Sequence, residues 1–212
     1  MSVGEEEPGD LVERVRGGDE RALAQIFSRY RDRLWRMVRV RLDRRLWGRV
    51  DPDDILQEAY LDATRRIGHY AAQGSMSAFL WLRLIVGQTM IDVHRRHLEA
   101  QARDAGRDVP IARRGGPEAS SIFLAVQLTA HLSSPSEVLI RREMEEQLRR
   151  AIDALPPIDR EVLILRHFEE LTNGEVAEVL GLQPKAASIR YIRAASRLKA
   201  ILGQFPGFAE MG

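Results

Sequence analysis

Thr172-Asn-Gly-Glu-Val-Ala-Glu-Val-Leu-Gly-Leu-Gln-Pro-Lys185 is the stretch on which the reading of this chain turns. Its first four residues fit a capping box. The Thr172 hydroxyl can accept from the Glu175 amide while the Glu175 carboxylate reaches back to the Thr172 amide. Val176, Ala177, Val179 and Leu180 then supply a short helix, and Ala177 is small enough for another helix to approach closely. Gly181 stands where a tight turn wants positive φ. Gln183-Pro184 restarts a helix, with proline in the first turn, and the helix continues to Leu202 before Gly203. A short helix, a glycine turn and a second helix make a helix-turn-helix.

The charge pattern gives that second helix a partner class. From Pro184 to Leu202 the charged residues are Lys185, Arg190, Arg193, Arg197 and Lys199, all basic, whereas the preceding segment 141–180 carries an excess of acids. In a helix-turn-helix the second helix enters the major groove, where side chains read base edges and cations grip phosphates. Two phases of this helix are open. One buries Ala187, Tyr191, Ala194 and Leu198 and turns Lys185, Ser188, Ile189, Ile192, Arg193 and Ser196 outward. The other buries Ile189 and Ile192, and hydrophobicity alone favours it.

Helical signals also dominate outward from this motif. Ile140, Met144, Leu148, Ile152 and Leu155 form an apolar stripe that Pro156-Pro157 stops, and a further helix follows with Val162, Leu163, Leu165 and Phe168. Between Leu98 and Pro135 the pattern degrades around Arg113-Arg-Gly-Gly-Pro117 and Ser133-Ser-Pro-Ser136, which reads as a linker holding a short helix at Ile122 to Leu132. Nearer the N-terminus, Asp19 caps a helix through Leu23, Ile26, Phe27, Tyr30, Leu34 and Val38. Asp51-Pro52 opens a second helix carrying Ile55, Leu56, Ala59, Tyr60 and Ala63, which fades near Gly68. Residues 70–77 read as a loop. A third helix from Ser77 to His97 holds Phe79, Leu80, Trp81, Leu84, Ile85 and Ile91 as its apolar content, with Trp81 a core residue. No segment alternates like a strand.

Composition bounds the rest. The chain of 212 residues is 44% hydrophobic and 30% charged, a globular balance, and its net charge of +1 means that any nucleic-acid affinity must come from local patches. It has no cysteine, hence no disulfide framework and no thiolate site, which fits a reducing cytoplasm. The acidic start, Glu5-Glu-Glu7, is unlike a secretory signal, and the longest apolar run is broken by Arg83 well short of the roughly 20 residues that span a bilayer. Membrane insertion is therefore not expected. His94 and His97 lie at i, i+3 without a carboxylate or cysteine partner, so no metal site is expected. There is no phosphate-binding glycine loop and no nucleophile elbow. Asp53 and Asp54 are adjacent and diverge on a helix. The chain reads as a non-enzyme without a cofactor.

Three segments carry a family resemblance. Leu155-Pro-Pro-Ile-Asp-Arg-Glu-Val-Leu-Ile-Leu-Arg166, followed by the Glu175 to Gly181 turn, resembles sigma domain four. Asp53-Asp-Ile-Leu-Gln-Glu58 resembles the centre of sigma domain two, and Phe79-Leu-Trp-Leu with Ile91-Asp92 and Arg95-Arg96 is similar to the promoter-melting helix of that domain. In this order and spacing, the chain resembles the small extracytoplasmic-function group (group IV) of the sigma-70 family. The resemblance implies an all-α protein with domain two at 10–98, a linker at 99–135 and domain four at 136–203. It implies a transcription initiation factor whose partners are core RNA polymerase and promoter DNA, with an anti-sigma factor as a further candidate.

By position in that family, Asp54, Gln57 and Glu58 would meet core polymerase. Residues 70–77 with Arg83, Gln88, Arg95 and Arg96 would capture unstacked bases of the minus-ten element, a task needing stacking surfaces and positive charge. Ser188, Ile189, Ile192 and Arg193 would meet the minus-thirty-five duplex, which selects the first phase of the recognition helix, and Lys185, Arg190 and Arg197 would grip phosphate. Gly87, Gln88 and Ser188-Ile189 depart from the usual family residues, so the promoter sequence is not legible. The competing reading is a helix-turn-helix regulator that binds duplex DNA without core polymerase. It shares the C-terminal motif but leaves Asp53 to Glu58 and Phe79 to Arg96 unexplained.

Overall fold

Among the residues that the computed structural model describes, 9–70, 76–105 and 138–205, every regular element is a helix. The chain divides into two compact units, Met1–Glu118 and Ala119–Gly212.

The first unit contains α1 (Gly9–Arg16), α2 (Glu20–Arg41), a 3-10 turn (Arg44–Leu46), α3 (Pro52–Tyr70) and α4 (Ala78–Ala105). The capping chemistry is where the sequence puts it. Asp19 accepts from the Arg21 and Ala22 amides at 2.9 and 3.2 Å, and Asp51 accepts from the Asp53 amide at 2.9 Å. Asp19 is also held by Arg14 at 2.7 Å, and that hydrogen bond, with the Ala22 amide, lowers its pKa. The pair ties α1 to α2, and α1 buries Val12 and Val15 against the rest.

The core of this unit is aromatic. Phe27 meets Tyr60 edge-on at 5.1 Å between ring centroids, Tyr30 meets Phe79 at 5.2 Å and Tyr70 meets Trp81 at 4.7 Å. Leu23, Ile26, Leu34, Ile55, Leu82 and Met90 fill the space between them.

Several details differ from the sequence reading, one being that α4 runs past His97 to Ala105, into the stretch read as linker. Helix α1 lies outside the sequence reading: Leu11, Val12 and Val15 sit on one helical face, but three apolar residues in eight are too few to mark a helix by themselves. Helix α3 runs past Gly68 to Tyr70, whose ring is fully buried and whose hydroxyl donates to the Met76 carbonyl at 3.0 Å. Tyr70 therefore belongs to the core rather than to a loop, since its stacking on Trp81 rewards two more helical residues. Leu84 and Ile91, read as core, are 46% and 43% exposed. The short helix expected at Ile122 to Leu132 and residues 71–75 of the loop lie outside the described residues.

The second unit contains α5 (Val138–Asp153), α6 (Pro157–His167), α7 (Asn173–Leu180) and α8 (Pro184–Leu202). Pro157 begins α6, where its missing N–H is no loss, so the proline pair both ends one helix and starts the next. The capping box of α7 is closed on both sides: the Glu175 amide donates to Thr172 Oγ1 at 3.2 Å and the Thr172 amide to Glu175 Oε2 at 2.6 Å. Gly181 adopts φ 63°, ψ 35°, and the next amide, that of Leu182, returns to the Ala177 carbonyl at 2.8 Å. This left-handed turn directs α8 across α6 and α7. Among the described residues, no helix is long and apolar enough to cross a membrane.

Candidate nucleic-acid interface

Helix α8 takes the first of its two possible phases. Ala187 and Ala194 are buried, and Tyr191, Ala195, Leu198 and Ile201 pack on Leu155 and Leu163. Two alanines let the helix axis approach α6 and α7 closely, and Tyr191 anchors its hydroxyl on His167 at 3.1 Å. Close approach decides the phase, and two isoleucines are left in solvent: Ile189 is 41% exposed and Ile192 62%. Lys185 and Arg193 share their exposure, and Ser188 is half-buried. The result is a convex helix face that is apolar and cationic at once.

The arginines of α8 are not equivalent. Arg190 reaches Asp159 Oδ1 at 3.1 Å, and Arg197 binds the other carboxylate oxygen of the same residue. Asp159 sits in the first turn of α6 with its side chain only 5% exposed. Arg193 lies between the two in sequence and has no carboxylate partner among the described residues. Beside these groups Pro156, Leu182, Ala186 and Ile189 line a shallow groove of about 400 Å³. In the sequence Asp159 carries no such signal, because an acid in a first helical turn reads simply as dipole complementation.

In the first unit, α3 leaves Asp54, Gln57 and Glu58 exposed while Ile55 and Ala59 turn inward. Asp53 pairs with Arg31 of α2, which fixes the start of α3. The expected minus-ten residues do not all share one face. At about 100° per residue, Gln88 and Arg95 lie within roughly 20° of each other on α4, but Arg83 is more than about 100° away. Arg83 is half-buried. Leu84 and Ile91 instead complete the stripe with Gln88 and Arg95. These two were missed as surface residues because leucine and isoleucine on a largely apolar helix read as core.

Neighbouring side chains tie this stripe to α3. One terminal nitrogen of Arg96 donates to both carboxylate oxygens of Glu58, 2.7 Å to each. Gln88 accepts from Arg66, and Arg95 pairs with Asp92 at 3.0 Å. Glu58 and Arg96, assigned by sequence to different ligands, are thus in direct contact. On the opposite flank His94 Nε2 accepts the Asp43 amide at 3.2 Å, which makes the ring an acceptor in its neutral form. Burial lowers its pKa, partly offset by the Asp43 charge. Among the described residues no cluster of histidines and acids could hold a metal ion.

A family model described as "ECF sigma factor" matches residues 5–200. The chain is 27% identical to the RNA polymerase sigma-H factor of Pseudomonas aeruginosa over 190 residues, covering 90% of this chain and 91% of that protein. It is 26% identical to the ECF RNA polymerase sigma-E factor of Escherichia coli strain K12 over 184 residues, 87% of this chain and 88% of that one. Among solved structures it is similar to CnrH, determined in complex with the cytosolic domain of CnrY. The TM-score is 0.52 at 21% identity, covering 92% of this chain and 96% of that chain, a likeness of fold.

Proposed function

The chain belongs to the ECF sigma factor family, and from that premise we propose how its two units share the work of an RNA polymerase sigma factor. The factor binds core RNA polymerase and promoter DNA and directs promoter-specific initiation. The first unit takes the polymerase through the exposed acidic and amide face of α3, with Asp54, Gln57 and Glu58 at its centre. The stripe on α4, Leu84, Gln88, Ile91 and Arg95 with Arg96 beside it, takes the opened minus-ten strand, because it combines apolar surface with cations. The second unit meets the intact minus-thirty-five duplex through α8. Ser188, Ile189, Ile192 and Arg193 face base edges, with the isoleucines suited to thymine methyls, and Lys185 faces phosphate. Arg190 and Arg197 flank that surface.

The observation that carries this reading is the exposed face of α8: two isoleucines left in water beside cations on a helix that follows a closed capping box and a left-handed glycine. Two large apolar side chains side by side with cations on one outer face form a patch that a partner can cover. We assign the two domains to 10–98 and 136–203 and the linker to 99–135, with the last turns of α4, to Ala105, running into it. The factor acts by binding in the cytoplasm, without chemistry of its own. The solved relative in complex with the cytosolic domain of CnrY supports a protein partner of the anti-sigma kind for this chain. Run-off transcription with core polymerase and genomic DNA tests the proposal. Start-site-specific RNA that depends on the added factor is expected, and none from any template overturns it.

A further inference from the structure

We propose that Asp159 is a specificity-setting counter-ion for the recognition helix: it holds Arg190 and Arg197 as ion pairs, so that DNA backbone attraction is limited and discrimination falls to the unpaired face around Arg193. The inference rests on the reading that α8 meets duplex DNA.

Three observations carry it. Asp159 is nearly inaccessible and lies at the start of α6, where the helix dipole stabilises a carboxylate, so the countercharge is fixed rather than a mobile surface acid. Each of its oxygens takes one guanidinium, from positions one heptad apart on the same side of α8. Arg193, between them, is exposed and has no such partner among the described residues. Moving Arg190 or Arg197 onto a phosphate strips a buried carboxylate of a partner, a penalty that no exposed pair carries. Phosphate attraction is blind to sequence and strong at low salt. A helix with every cation free would bind any duplex, and the shared carboxylate removes part of that attraction while leaving the base-facing residues untouched.

The test compares holoenzyme carrying wild-type factor or Asp159→Asn on promoter and non-promoter duplexes across a salt series. Asn keeps the shape and an acceptor oxygen but releases the charge. Non-promoter affinity is expected to rise, the promoter to non-promoter ratio to fall, and the slope of log K against log salt to steepen by about 0.9 for each phosphate newly engaged, up to two. Asp159→Asn with Arg190→Gln and Arg197→Gln returns the slope to wild type, which loss of structure cannot do. An unchanged slope, or affinity lowered equally on both duplexes, overturns the proposal. Where Asp159→Asn loses helical circular dichroism, arginine side-chain NMR of the unmodified full-length chain titrated with duplex decides. Arg193 is expected to shift while Arg190 and Arg197 do not, and movement of that pair onto phosphate overturns the idea. If Arg193→Ala leaves promoter binding intact, the DNA reading of α8 fails instead, a result distinct from either outcome above.

Discussion

The two units reach order by different routes. The first fixes its helices by volume: three aromatic pairs and a row of leucines and isoleucines leave one way to pack α2, α3 and α4. The second also buries apolar side chains, among them Leu148, Ile152, Leu155, Val162, Ile164, Leu165 and Val176, but it aims its last helix with a closed capping box, a left-handed glycine and a carboxylate shared by two arginines. A unit oriented by volume is sensitive to deletion of bulk. A unit oriented by local stereochemistry and charge is sensitive to single hydrogen bonds. The second route also leaves a helix face free to carry apolar side chains outward, because the fold does not need them inside.

Substitutions in each unit probe the two routes. Trp81→Ala removes one ring of the Tyr70 stack and should cost about 3–5 kcal/mol of stability by denaturant unfolding; a loss under 1 kcal/mol would show that volume does not hold the first unit. Arg193→Ala should weaken promoter binding by about 1–3 kcal/mol with discrimination lost at one base position. Gln57→Ala with Glu58→Ala should weaken association with core polymerase about tenfold, roughly 1.4 kcal/mol, with helical circular dichroism unchanged; undiminished pull-down refutes the assignment of α3. Thr172→Ala opens one side of the capping box and should lower stability by about 1 kcal/mol in a thermal melt.

The smallest effect is one of pH. Burial holds the His94 pKa below its ordinary value, so the unfolded chain takes up the proton first. Its share of stability is complete above the ordinary imidazole range and is lost as pH falls from there through the lowered folded value. Melting temperature should therefore drop on acidification through that window, and His94→Gln should flatten the dependence. An identical pH profile for the variant removes His94 from the account.

Most of the fold was legible because its signals are local. Asp19, Asp51-Pro52, Pro156-Pro157, the Thr172–Glu175 box and Gly181 each act within four residues, and each behaves in the structure as its chemistry demands. What sequence could not supply were contacts between distant segments. Tyr70 looked like a loop residue until Trp81 gave it a stacking partner. The phase of α8 is set by how closely two alanines let helices approach, against the hydrophobicity of Ile189 and Ile192. Asp159 lies 31 and 38 residues from the arginines it binds, and no periodicity connects them. The family resemblance places Arg83 with Gln88, Arg95 and Arg96, whereas helical geometry separates Arg83 from Gln88 and Arg95.

The bridge between Glu58 and Arg96 has a thermodynamic corollary. It is half in water, so it contributes at most about 1 kcal/mol and opens readily. Any ligand that claims Glu58 releases Arg96, and any ligand that claims Arg96 releases Glu58, by the same free energy in both directions. A single exposed contact thus links occupancy of one helix to occupancy of the next, reciprocally and by no more than about fivefold.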